Sequence, residues 1–181
     1  MKRALALPAL LLSALCAAAP ALAQIGEVQA GVVGSYGWTA AYGPGAGLVF
    51  GVATGRLAYV GLRWTYHTGS TTAGVTTRAQ SFAVDLGVVI PVRQLDVVAG
   101  VSLGAVRFAQ HSGSARAHKV EFLGEPGLAA ELHVAHVALI PELQYAWAGD
   151  PELPQPVRHQ GLIASLRFVV PIEVGRIRRY P

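Results

Sequence analysis

The chain has 181 residues, of which only 13% are Asp, Glu, Lys or Arg, about half the charged share of an ordinary soluble domain, and so little charge makes a wetted surface hard to build. The formal charge of +4 rests on scattered arginines and not on a basic face, which argues against a nucleic-acid partner. One cysteine, Cys16, excludes a disulfide framework.

Lys2 and Arg3 precede an apolar run over residues 4–16, and Ala21-Leu22-Ala23 has the form of a cleavage site, so residues 1–23 are expected to be a secretory signal. As an anchor the run is too short and contains Pro8. A lipoprotein signal ending at Cys16 would want a small residue where Leu15 stands. Cleavage after Ala23 removes Lys2, Arg3 and Cys16, leaving 12 of the 14 basic residues against 10 acidic ones, and Lys119 as the remaining lysine. The expected mature chain of roughly 158 residues suits one domain, with a barrel over 24–174 and a basic tail over 175–181 that holds Arg176, Arg178 and Arg179. No later segment offers the roughly 20 apolar residues of a spanning helix. Only helices and closed barrels satisfy their backbone hydrogen bonds in lipid, which leaves the barrel.

Eight runs alternate with the period of two that places strand side chains on opposite faces. The first sets Val28, Ala30, Val32, Gly34 and Tyr36 against Glu27, Gln29, Gly31, Val33 and Ser35. The second, over 46–53, holds Leu48, Phe50 and Val52, and the third sets Val60, Leu62, Trp64 and Tyr66 against Tyr59, Gly61, Arg63 and Thr65. The fourth places Phe82, Val84, Leu86, Val88 and Ile90 opposite Ser81, Ala83, Asp85 and Gly87. In the fifth, Val97, Ala99, Val101, Leu103 and Ala105 oppose Asp96, Gly100, Ser102 and Gly104; past Ala105 the phase is expected to slip, with a bulge as one cause, because Arg107 would otherwise face lipid in place of Val106 and Phe108. The sixth, over 120–132, sets Phe122, Leu128, Ala130 and Leu132 against Glu121, Glu125, Ala129 and Glu131, with Pro126 interrupting its ladder. The seventh sets Val137, Leu139, Leu143, Tyr145 and Trp147 against Ala138, Ile140, Glu142 and Gln144, with Pro141 as a similar interruption; the eighth, over 162–172, sets Leu162, Ala164, Leu166, Phe168 and Val170 against Ile163, Ser165, Arg167 and Val169.

Connections alternate in expected length. Short turns fall at 54–56, 91–94 and 133–136, longer loops at 37–45, 67–77, 109–119 and 148–160, the layout of outer-membrane barrels with short periplasmic turns and longer external loops. Tyr36, Trp38, Trp64, Tyr66, Tyr145 and Trp147 all fall where a strand meets a longer loop, as an interfacial aromatic girdle would.

A soluble lipocalin-like barrel shares the alternation but turns its bulky stripe inward. The opposite stripe decides between the two. It consists of Gly, Ala, Ser and Thr with a few charges, of which Glu27, Arg63, Asp85, Glu125, Glu131, Glu142 and Arg167 form the expected lumen charge network; buried charges require partners, and eight strands enclose a lumen that side chains fill.

The signal, the eight runs, the connection pattern and the aromatic strand ends together are similar to the small OmpA-like and OmpX-like outer-membrane β-barrel domains, over the whole mature sequence. The resemblance is one of architecture without a diagnostic motif. It implies an all-β, eight-stranded antiparallel up-and-down transmembrane barrel in a Gram-negative outer membrane, with outer-membrane lipid and lipopolysaccharide as surroundings, no cofactor and a structural or surface-interaction role. Many such barrels end on an aromatic residue; here Phe168 is followed by residues 169–181, which leaves the end of the last strand open.

Three other functions are weighed. A small-solute or ion pore of porin type would use the lumen charges as a constriction. A lipid A deacylase or acyltransferase would need a nucleophile held by a histidine and an acid; Ser112, Ser114, His111 and Glu121 are close in sequence, but the deacylases' His-any-Ser motif is missing, since His111 is followed by Ser112-Gly113 and His67 by Thr68-Gly69. A metal site would need His67, His111, His118 and His159 to converge, and their spacing offers no ligand pattern. No catalytic, cofactor-binding or metal-binding residue is assigned. A soluble binding barrel is the third function, and the external ligand is left open.

Overall fold

The computed structural model describes residues 25–54, 58–92, 95–134 and 136–174. The expected signal peptide, the basic tail, and Gly55, Arg56, Arg93, Gln94 and Ala135 of the short turns lie outside the described residues. Eight strands follow in chain order: β1 (Ile25–Gly37), β2 (Gly43–Thr54), β3 (Ala58–Thr72), β4 (Val75–Val92), β5 (Leu95–Ser112), β6 (Ala115–Val134), β7 (Val137–Ala148) and β8 (Gly161–Glu173). Each pairs antiparallel with its chain neighbours, and β8 closes on β1. Closure gives every strand a paired neighbour on both sides, which an apolar solvent demands of backbone inside it.

The faces follow from the alternation. Leu62, Leu103 and Leu166 are 43%, 40% and 51% exposed, whereas Arg63 and Arg167 are 4% and 6% exposed. The bulky stripe therefore covers the exterior and the small and charged stripe the lumen, the inverse of a soluble barrel. Lumen positions are crowded: a Cβ on Gly47 would collide with the carbonyl oxygen of Trp64 on the next strand, so glycine there permits close approach of the walls.

Two expectations need correcting. The connections at 67–77 and 109–119 are not long loops: β3 and β4 join through Ala73 and Gly74, both at positive φ (49° and 76°), and β5 and β6 through Gly113 and Ser114. Polar residues on both faces hide the alternation there, but the chain still pairs as strand, giving β4, β5 and β6 lengths of 18, 18 and 20 residues against 12 or 13 for β1, β2, β7 and β8. The phase of β5 does not slip after Ala105. Its register against β4 and β6 is continuous; Val106 and Phe108 fill the lumen and Arg107 stands outside. The interruptions expected at Pro126 and Pro141 are present: neither residue pairs between β6 and β7, and the register is the same on either side.

Strand β3 does carry an irregularity, between His67 and Ser70. Gly69 within it has φ +64, and a Cβ there would strike the Thr77 carbonyl, so only glycine fits. Its N–H donates to Tyr42 O at 2.8 Å, and the Thr68 and Ser70 hydroxyls donate to Pro44 O and Ala40 O, each at 3.1 Å. The irregularity thus pins the β1–β2 connection inward over the lumen.

Candidate functional site: the filled lumen and its rim

Arg63, on β3, is the hub of the lumen. Its Nη1 donates to Gln144 Oε1 at 2.5 Å and Glu142 Oε2 at 3.2 Å, both on β7. Its Nη2 donates to Glu125 Oε2 of β6 at 3.1 Å and to the Ser102 hydroxyl of β5, and lies 3.1 Å from Asp85 Oδ1 of β4. One guanidinium thereby ties five strands together, which its planar fork of donors suits. Arg167, on β8, grips Glu142 through two bonds, Nε to Oε2 at 3.0 Å and Nη2 to Oε1 at 2.6 Å, the bidentate geometry that makes such pairs strong. Its Nη2 also lies 3.1 Å from Asp85 Oδ2. Both Asp85 contacts are ion pairs outside hydrogen-bond geometry. Two cations thus face three carboxylates, and a cavity of about 40 Å³ bordered by Tyr59, Asp85, Ser102, Glu131 and Arg167 leaves room for little more than a water or two.

Toward the short-turn end a second cluster forms. The Gln29 amide donates to Glu27 Oε1 at 2.7 Å and, across the lumen, to Glu131 Oε1 at 2.9 Å. His133 Nε2 lies 3.3 Å from Glu131, and single ligand atoms of Glu27, Glu131 and His133 fall within 4.8 Å of one another.

The loop end is apolar. Tyr42, Val106, Phe108, Leu123 and Ile163 fill it, and Leu153 and Val157 of the 149–160 connection pack on top. Phe108 meets Tyr42 and His159 edge to face at 6.1 and 6.0 Å between centroids, a favoured aromatic geometry. Gln110 clips the connection down: its Nε2 donates to Gln155 O at 2.8 Å, and Gln155 N–H donates to its Oε1 at 3.1 Å. Burial, with the Glu125 charge second, raises the Tyr42 phenol well above its ordinary value and keeps it neutral.

On the exterior, Tyr36, Trp38, Trp64, Tyr145 and Trp147 are exposed and Tyr66 half-buried at the loop end of their strands. The residues weighed for catalysis do not assemble. His111 occupies an outward position on β5, whereas Glu121 occupies a lumen-side position on β6 opposite Val106. Of the four histidines weighed as ligands, His67 and His159 belong to the apolar closure, and His118 faces outward on β6. Sequence reasoning placed Gln29, Ser102 and Gln144 on the lumen face but missed their part in bonding the charges, and missed the Gln110 clip. Their lumen parity is the signal that was available.

No protein-family profile and no curated protein sequence matches this chain. Among solved structures, the N-terminal β-barrel domain of Pseudomonas aeruginosa OprF superposes with a TM-score of 0.56 at 11% identity, covering 82% of this chain and 98% of that one. Neisserial surface protein A gives 0.56 at 12% identity, with 82% and 96% covered. Ail, the attachment invasion locus protein of Yersinia pestis, gives 0.50 at 13%, with 82% and 99% covered. At such low identity the likeness speaks to architecture, and the chain has the fold of the small eight-stranded outer-membrane β-barrels.

Proposed function

We propose that this chain is exported and inserted as an integral outer-membrane barrel, non-enzymatic, with a structural or surface-interaction role exercised at its loop end. The observation that carries the reading is the inversion of the faces: an apolar exterior around a filled lumen that holds the paired charges, with an apolar closure at its loop end. Acyl chains are the solvent in which that arrangement is stable. The lengthened β4–β6 wall and the anchored 149–160 connection supply a firm external surface, and one structural neighbour, Ail, is an attachment invasion locus protein.

The pore reading is disfavoured by the cross-braced arginines and by the apolar closure above them. The lipid A-modifying reading is disfavoured by the separation of His111 from Glu121.

Heat-modifiable gel migration of the protein folded in detergent tests the barrel. A faster band that shifts on boiling is the expected result, and a single band unaffected by heat sinks the reading. Planar-bilayer recordings are expected to show no steady conductance. Leu62→Arg, which puts a charge in the apolar band, is expected to lower stability in lipid vesicles by about 2–4 kcal/mol; a soluble barrel would show no lipid-dependent loss.

A further inference from the structure

The exterior of the loop end divides into two sectors. On one side it carries exposed aromatic rings, Tyr145 and Trp147 of β7, Tyr36 of β1 with Trp38 just past it, and Trp64 of β3. On β4, β5 and β6 the row that begins at Tyr66 continues through Gln80, Arg107 and Val120. Two residues farther from the apolar band, Arg78 stands opposite Ala109, and beyond it Arg116 stands opposite His111. All three arginines are exposed, and none pairs with a carboxylate among the described residues.

No acidic residue occupies an outward position on these three strands. Glu121 is on the lumen side, and Glu152 lies on the loop, 3.8 Å from Lys119. Immediately beneath the arginines the same face turns apolar, with Phe82, Leu103 and Phe122 exposed. A groove of about 180 Å³ opens between Tyr66, Arg78, Gln80, Arg107 and His111.

We propose that this arginine sector seats the phosphate-bearing headgroup of an outer-leaflet glycolipid of the lipopolysaccharide type, with the acyl chains lying along Phe82, Leu103 and Phe122. This rests on the outer-membrane reading given above. Guanidinium forks match phosphate oxygens bidentately. The apolar neighbours decide between lipid and free polyanion: Arg107 sits between Val120 and Gln80 at the edge of the band, where a water-soluble polysaccharide would gain nothing from the hydrocarbon below.

Native mass spectrometry of the folded full chain in detergent micelles tests this, with bis-phosphorylated lipid A, the same lipid with its phosphates removed, and heparin as probes. Lipid A is expected to be retained, and the triple variant Arg78→Gln, Arg107→Gln, Arg116→Gln to lose about tenfold in affinity. The double variant Lys119→Gln, Arg158→Gln, which removes loop-end cations outside the sector, is expected to stay within about twofold of wild type. Equal retention of the dephosphorylated lipid, equal retention by the triple variant, or heparin displacing lipid A each overturns the proposal. Gel migration on the same samples separates the two failures: a heat-modifiable barrel that ignores lipid A sinks this inference alone, and a chain without heat-modifiable migration sinks both.

Discussion

The lumen is closed twice, by different chemistry at two levels. At the loop end, Tyr42, Phe108, Leu123 and Ile163 under Leu153 and Val157 form a core like that of a soluble domain, stabilised by apolar area removed from water at roughly 25 cal/mol per Å². In the middle, Arg63 and Arg167 are surrounded by Asp85, Glu125 and Glu142, groups that tolerate burial only in each other's company. The contrast teaches where damage stays local. A truncated side chain in the apolar level forfeits its own contacts, whereas a missing member of the charged level strands those that remain.

The largest expected effect is therefore Arg63→Ala, which leaves three buried carboxylates with one cation and is expected to cost about 3–5 kcal/mol in urea unfolding from lipid vesicles. Adding Glu125→Gln to that variant should recover part of the loss; no recovery would mean that Arg63 acts through packing. Phe108→Ala is expected to cost about 3 kcal/mol by emptying the apolar level, while planar-bilayer recordings stay silent because the arginines below still block the lumen. A steady conductance in that variant would show the charged level to be no barrier. Next comes Gln110→Ala, which is expected to cost the local seating of the 149–160 connection about 1–2 kcal/mol. Its clearer signature is faster proteolysis within 149–160 with little change in global unfolding, and unchanged proteolysis would refute the clip. Smallest is Lys119→Ala, which loses an exposed pair with Glu152 and should remain within about 0.5 kcal/mol of wild type.

The two levels also differ in how well the sequence announces them. Leu62-Arg63-Trp64 states its own geometry: two bulky apolar residues around a charge fix a strand and say which face holds the arginine. The same alternation of bulky apolar residues with small, polar or charged ones recurs in all eight strands, so strand number, closure and face were legible. Which carboxylate meets which arginine was not, because Glu125 and Glu142 reach Arg63 from three and four strands away. Parity names the compartment and not the partner. Near the loop end the code changes at Arg107: beyond the apolar band, outward positions become polar and lumen positions apolar, so an unbroken strand reads as a phase error. Residues 67–77 fail for a related reason. Thr and Ser on both faces erase the alternation although, outside the irregularity at Thr68 and Gly69, the backbone stays paired.

The hairpin turns at Ala73-Gly74 and Gly113-Ser114 stand open on every side: a Cβ on either glycine would meet nothing within 4 Å. From Ala105 the β5–β6 ribbon carries its tip roughly 20 Å along the strand direction. On the outer-membrane reading proposed above, a foreign peptide spliced between Gly113 and Ser114 would be held away from the membrane at the tip of a paired ribbon, where an antibody added to intact cells would reach it. The same graft placed in 149–160 would have to pull Leu153 and Val157 off their seat before it could be displayed at all.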